Sequence, residues 1–416
     1  MILNLTIQNF RSFKDLNTLS LEPISKGSSP ALPFVAVYGP NASGKSNIVK
    51  ALAFIQFAVQ NENAINLGTV KHPLLQPFML NQKNPQNPSM FEITVLHKAM
   101  NATYRYGFEV HKNQVISEWL IESALRSNRV TEREIYVRKN DTYKFDSSIN
   151  ISTRSIYTTV PRSILALPRF ANNNMSQALA LVDLIANQMI LFDCTKTSTI
   201  FDQATRRLTE DAELRAKVSE VVKDLDVSVQ RIDVKRHAMS QDDLSNFPVP
   251  EELKSILAAS TPGAVQTNFS TVHNVYDEKG TVVDTTNFDY HNNESLGTQN
   301  LILFITMLID SMNKGYILVA DEFGSGFHPF ITAAIIKLFT AKKHSAQFIA
   351  LTHETYPLSQ EGLISKDMIW FVEKNVKEES SLVSLSEYKT RSDARLEKQY
   401  LEGRFGAVPI VLKSEI

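Results

Sequence analysis

Gly39-Pro40-Asn41-Ala42-Ser43-Gly44-Lys45-Ser46, followed by Asn47, fits the pattern G-x-x-x-x-G-K-[ST]. Two glycines let such a loop wrap backbone N–H groups around phosphate oxygens, and a helix opening at its end aims a positive pole at them. Lys45 supplies a cation for β- and γ-phosphates, and the Ser46 hydroxyl suits Mg²⁺. By accident the pattern arises on the order of once per hundred chains of this length. Here the strand it requires precedes it (Phe34–Tyr38) and the helix follows (Ser46–Gln60), so ATP with Mg²⁺ is the expected ligand.

Two further strand ends carry chemistry. Gly315–Ala320 is an apolar run that ends in Asp321-Glu322. An acid at such an end holds the magnesium of a phosphoryl-transfer site, the role expected of Asp321, and Glu322 is then free to orient and deprotonate an attacking water. Gln347–Thr352 is a second buried run, and it delivers His353. In an open α/β sheet the carboxyl ends of parallel strands face the ligand, so His353 is expected to reach the γ-phosphate. Asn293–Leu301, NESLGTQNL, has the composition of a helix start with Ser295 as its cap.

The elements that must position these residues follow from the patterning. Ile2–Ile7 alternates as a half-buried strand, and residues 91–145 read as an antiparallel meander with His111-Lys112-Asn113 in one turn. Residues 174–225 read as helical, 227–236 alternate again, and 239–265 read as a variable loop. A hairpin turning at Asp277–Gly280 precedes the capped helix, and from Tyr316 to Phe371 the rhythm is strand–helix–strand. Residues Arg126, Arg129, Arg133, Arg138 and Lys139 form a small basic run diluted by Glu132, Glu134 and Asp141, which reads as a solvated strand edge.

Bulk numbers bound the rest. The 416 residues are 43% apolar and 21% charged with a formal net charge of −1, so no global basic excess recruits nucleic acid. Cys194 is the only cysteine, which excludes an internal disulfide framework and a cysteine zinc site. The longest apolar run, Leu301–Ile309, is far short of the ~20 residues of a membrane span. A cytoplasmic protein with no membrane partner is expected.

The order of phosphate loop, long insertion, serine–glycine helix start, acidic strand and histidine strand resembles the ABC-type ATPase heads of the SMC and OLD kind. The wording of IQNFRSF, YRYGFEV, ISEWL, ESLGTQ, DEFGSGFHP, THET and YLEGRFGAVP resembles the RloA/AbiLi-like, PARIS AriA-like group of bacterial phage-defence ATPases. The resemblance implies an α/β fold of ABC-ATPase head type: a mixed sheet flanked by helices, an antiparallel β subdomain and an inserted helical region. The corresponding domains are 1–150 (N-terminal ATPase lobe), 151–265 (inserted, helical and variable) and 266–416 (C-terminal ATPase lobe).

It also implies a shared site. Ser295, Gly297 and Gln299 would complete the nucleotide site of a facing subunit, making ATP the glue of a head-to-head dimer or higher oligomer. Arg11 is expected to contact phosphate, and Gln76 to be the magnesium- and water-sensing glutamine. The aspartate that couples the two sites in ABC transporters is absent from Phe323–Pro329. About sixty residues follow His353, too few for a nuclease domain of typical size. The resemblance therefore implies an abortive-infection ATPase that senses a phage protein or DNA and controls a separately encoded effector, a TOPRIM or RloB-like nuclease. Two alternatives remain at this point: an SMC-like DNA-repair or DNA-tethering ATPase, and a P-loop kinase or other phosphotransferase.

Overall fold

Short apolar runs punctuated by glycine, proline and asparagine turns become strands in three sheets. A computed structural model of the chain describes residues 1–24, 30–60, 74–126, 129–149, 158–226, 228–238, 265–341, 343–389 and 395–408. The chain divides into two compact units, Met1–Cys194 with Ser311–Ile416, and Thr195–Asp310.

The first unit opens with β1 (Ile2–Gln8), β2 (Asn17–Ser20), β3 (Phe34–Tyr38) and α1 (Lys45–Gln60). The meander follows as β4 (Ser89–His97), β5 (Ala102–His111), β6 (Gln114–Arg126), β7 (Arg129–Lys139) and β8 (Thr142–Phe145). These pair as an antiparallel sheet ordered β2-β1-β4-β5-β6-β7-β8. Its apolar face packs on α1, where Phe54 meets Phe91 and Phe108. Then come α2 (Ala166–Asn172), α3 (Ser176–Asn187) and β9 (Met189–Asp193).

The second unit is built from α4 (Ser198–Glu210), α5 (Ala212–Leu225), β10 (Arg231–Ala238), β11 (Val265–Tyr276) and β12 (Val282–Asp289). Its three strands form one antiparallel sheet in the order β10-β11-β12. Tyr290 stacks on Phe269 with ring centroids 4.1 Å apart. Helix α6 (Leu296–Lys314) begins in this unit and leads the chain back to the first.

There the chain adds β13 (Ile317–Asp321), α7 (Pro329–Ala341), β14 (Gln347–Thr352), β15 (Ile369–Lys374) and β16 (Ser380–Ser384). The resulting sheet runs β16-β15-β3-β14-β13-β9. All its pairings are parallel except that of β16 with β15. Strands β3, β13 and β14 are buried at every position, the uninterrupted apolar signature of a sheet covered on both faces. The first unit thus combines a mixed, mainly parallel sheet with an antiparallel β-sheet, the α/β arrangement expected.

Two expectations change. The helical reading of 174–225 is broken by β9, because MILFD is too short and too uniformly apolar for periodicity to separate strand from helix. By pairing with β13, β9 keeps the chain in the first unit through Cys194, and the second unit runs from Thr195 to Asp310. The basic run is not a solvated edge throughout. Arg138 is fully buried beside Glu118 at 3.7 Å and donates to the carbonyls of Asn140, Ile164 and Val160. Arg133 pairs with Glu122 at 2.7 Å; the side chains of Arg126 and Arg129, and residues 239–264 of the loop expected at 239–265, lie outside the described residues.

The segment LEKQYL forms a short helix, and Tyr400 and Phe405 stack on Phe371. The terminal motif thus closes the core around β15.

Candidate functional site

Parallel pairing brings the carboxyl ends of β3, β14, β13 and β9 to one edge of the sheet. Each of these strands ends in a polar or charged residue at that edge. Beyond β3 lies the glycine loop, Asp321 ends β13, His353 follows β14, and Asp193 ends β9 directly opposite Asp321.

The loop turns into α1 through two residues of positive φ, Ala42 (61°) and Gly44 (115°). At Gly44 a side chain is excluded: a Cβ would lie 2.6 Å from both the Ser12 and the Ser380 hydroxyl oxygens. A backbone bent this way presents successive N–H groups to an anion. A cleft of about 500 Å³ opens over it, lined by loop residues Asn41, Ala42, Gly44, Lys45, Ser46 and Asn47 with Lys50, Glu322 and His353.

Lys45 lies folded across the loop. Its Nζ donates to the carbonyls of Gly39 (2.7 Å) and Pro40 (3.1 Å) and lies 3.2 Å from His353 Nδ1. Across the ring, His353 Nε2 is 2.5 Å from Glu322 Oε2. One tautomer satisfies both contacts, with Nδ1 accepting from lysine and Nε2–H donating to the carboxylate. Burial lowers the Lys45 pKa, against the pull of Glu322 and Asp321. Glu322 holds φ 54°, a conformation that costs a residue with a Cβ on the order of 1 kcal/mol and collects at functional sites.

Ser46 Oγ donates to Asp321 Oδ1 at 3.2 Å. Burial raises the Asp321 pKa, the Ser46 hydrogen bond lowers it, and Glu322 and Asp193 push it up again. A hydroxyl and a carboxylate in contact, with two more carboxylates near, form an all-oxygen donor set short of positive charge. That set fits Mg²⁺. Among the described residues no group of three or more His, Cys, Asp or Glu side chains is placed to hold a metal on its own.

Ser295 belongs to the second unit. Its Oγ accepts from the Thr298 N–H at 3.1 Å, capping α6 as expected. The same turn is fastened from below: Thr298 Oγ1 donates to Asp226, the Tyr290 hydroxyl donates to the Gln299 carbonyl, and Glu294 is held by Thr271 and His273. Leu296, 77% exposed, marks this turn as open to the surface.

Arg11 and Gln76 do not line the cleft. The Arg11 N–H donates to the Gln76 carbonyl at 2.8 Å, Gln76 is exposed, and the Arg11 guanidinium lies 5.7 Å from the Phe10 ring centroid. The residue at the edge that sequence reading passed over is Asp193. Its signal was legible, since MILFD repeats the design of ILVAD, an apolar strand closed by an aspartate. His328 sits with its ring 4.9 Å from Phe330, outside the cleft.

Comparison with known proteins adds the family. A family model described as "AAA domain, putative AbiEii toxin, Type IV TA system" matches residues 34–359. No curated protein matches the chain. Among solved structures, it is similar to an SMC head bound to the C-winged helix domain of ScpA, at 14% identity and TM-score 0.44, covering 93% of this chain and 99% of that one. The SMC head domain from Thermotoga maritima gives 12% identity and TM-score 0.40, with coverages of 92% and 98%. An SMC head with an extended coiled coil, bound to the C-terminal domain of ScpA derived from Pyrococcus furiosus, gives 14% and 0.44, with coverages of 93% and 97%. The family match spans well over half of the residues and includes the glycine loop, the acidic strand and His353, so the chain belongs to this AAA-domain family.

Proposed function

We propose that the protein is an ATP-hydrolysing subunit of an anti-phage, abortive-infection-like system, and that it controls a separate effector through ATP-dependent assembly. The observation that carries the catalytic part is the contact chain Lys45–His353–Glu322 over the glycine loop. Lys45, Ser46 and the loop N–H groups bind the triphosphate, and Ser46 with Asp321 would hold Mg²⁺. That ion supplies charge neutralisation for the transferring phosphoryl group when bound. Glu322 takes the proton of the attacking water, and His353 orients that carboxylate through Nε2. Asn41 and Asn47 line the phosphate cleft. Arg11 and Gln76 act from the rim if ATP binding draws them in.

The capped, surface-open start of α6 supports a shared site. Helix N-termini bind anions, and Ser295, Gly297 and Gln299 lie in the first turn or beside it. On this reading each copy lends that turn to the γ-phosphate of its partner, and hydrolysis releases the pair. The defence role is supported by the toxin–antitoxin wording of the family description, and the effector class, a TOPRIM or RloB-like nuclease, by the sequence resemblance. A DNA-tethering role is the weaker reading, because two arginines of the basic run are committed to Glu118 and Glu122. Among the described residues no helix is long and apolar enough to cross a membrane.

Complementation tests the shared site. Lys45→Ala and Ser295→Arg chains, each inactive alone, are expected to regain up to one working site per dimer when mixed. Absence of rescue with both chains folded would remove the composite site and leave a self-contained ATPase.

A further inference from the structure

The glycine loop rests on two serines from opposite ends of the chain. Ser380, at the start of β16, is buried; its hydroxyl donates to the Ser43 carbonyl at 2.5 Å and its N–H to the Ser12 carbonyl at 2.8 Å. Ser12 Oγ in turn accepts from Asn47 Nδ2 at 2.8 Å, in the first turn of α1. Both hydroxyls pack against Gly44. Outside this contact, Glu379 pairs with Lys14 at 2.9 Å and the Leu382 N–H donates to Asn17 Oδ1 at 2.9 Å. Residues 379–382 are thereby fastened to residues 12–17 directly beneath the loop.

A loop that turns its N–H groups toward phosphate turns carbonyls away from it, and a carbonyl so buried needs a donor. Ser380 supplies that donor to Ser43. The next residue is Gly44, at φ 115°, where the absence of a Cβ leaves the backbone free to rotate. Without the serine, the 43–44 peptide has both a reason to reorient and the freedom to do so.

We propose that Ser380 and Ser12 form a latch that holds the phosphate loop in its anion-binding shape, so that they are positioning residues for the nucleotide. The latch rests on the reading of the glycine loop as a triphosphate site. It also gives β15–β16 a role, since the turn between them ends directly at Ser380 and carries Val376, 94% exposed.

The test is Mg-ATP titration of full-length wild type, Ser380→Ala, Ser12→Ala and the double variant, with melting temperatures measured without nucleotide. An orphaned buried acceptor predicts about tenfold weaker ATP binding for Ser380→Ala and a smaller loss, about threefold, for Ser12→Ala. The double variant falls short of the product of the two losses, because the residues share one contact network. KM rises while kcat at saturating ATP stays near wild type. Affinity within twofold of wild type in both single variants overturns the latch, including the case where only the melting temperature drops. Should Ser380→Ala not fold, Ser12→Ala alone decides by the same criterion. A wild type that binds no Mg-ATP would remove the site reading together with the latch; a wild type that binds alongside unaffected variants removes the latch alone.

Discussion

Glu322 Oε2 lies 2.5 Å from His353 Nε2, and the other nitrogen of that ring lies 3.2 Å from Lys45 Nζ. The histidine therefore spans the two residues to which the proposed function gives opposite ends of a hydrolysis, Lys45 as the phosphate-binding cation and Glu322 as the water-activating base. Glu322→Gln keeps the size and one hydrogen bond but cannot take a proton. Phosphate release is expected to fall by about 10²–10⁴-fold with ATP affinity retained, and the ATP-bound oligomer should accumulate in light scattering. Unchanged turnover would remove Glu322 as the base. His353→Ala, which leaves the carboxylate in place but unoriented, is expected to lose less.

The backbone of the same residue gives a separate expectation. At φ 54° Glu322 is strained, and glycine adopts that conformation without the Cβ penalty. Glu322→Gly should melt no lower than wild type although its activity is lost. A clear drop in melting temperature would mean that the side chain contributes more to folding than its contacts at this site suggest.

Gly44 has no such alternative. A Cβ there meets two serine hydroxyls at 2.6 Å, and φ 115° suits no residue with a side chain. Gly44→Ala is expected to weaken ATP binding on the order of a hundredfold in a protein that still folds. Equilibrium binding of a fluorescent ATP analogue reads this directly, and near-normal affinity would mean that the loop has another nucleotide-binding shape.

What was legible in the sequence follows from distance along the chain. The glycine loop, Asp321-Glu322 and His353 each stand directly after an apolar run, so pattern and chemistry sit within ten residues of one another. The cap of α6 is equally local. Strand β9 was hidden because four apolar residues and an aspartate between helices carry no period of their own. Ser12 and Ser380 were invisible as a pair because only the pairing of β15 with β3 brings β16 under the loop. Arg138 was misread because charge predicts exposure unless the partner is known, and Glu118 lies on the neighbouring strand in direct register.

Ser46 and Asp321 carry an expectation about magnesium. With Ser46→Ala or Asp321→Asn, ATP affinity in chelator should resemble that of wild type, while the gain in affinity on adding Mg²⁺ should shrink or vanish. Titrating Mg²⁺ at fixed nucleotide measures it. An undiminished magnesium gain in both variants would place the ion on other residues, with Asp193 the nearest candidate across the strand pair.

Arg138 and Glu118 test whether the basic run serves the fold or a ligand. Glu118 is buried and accepts from the N–H groups of Ala166 (2.7 Å) and Leu167 (2.9 Å) and from the hydroxyls of Tyr106 (3.1 Å) and Tyr136 (2.8 Å). Burial pushes its pKa up, against the N–H groups, the Tyr136 hydroxyl and Arg138, which pull it down. The carboxylate thus ties the meander to the start of α2, and Arg138 supplies the counter-charge. Arg138→Met leaves that carboxylate buried without its cation, which costs about 3–5 kcal/mol and lowers the melting temperature by many degrees. The double variant Arg138→Met/Glu118→Gln removes both charges and should recover a good part of the loss. If Arg138 instead served nucleic acid, Arg138→Met would leave the melting temperature alone and reduce salt-sensitive DNA binding. The buried ion pair predicts the opposite on both counts.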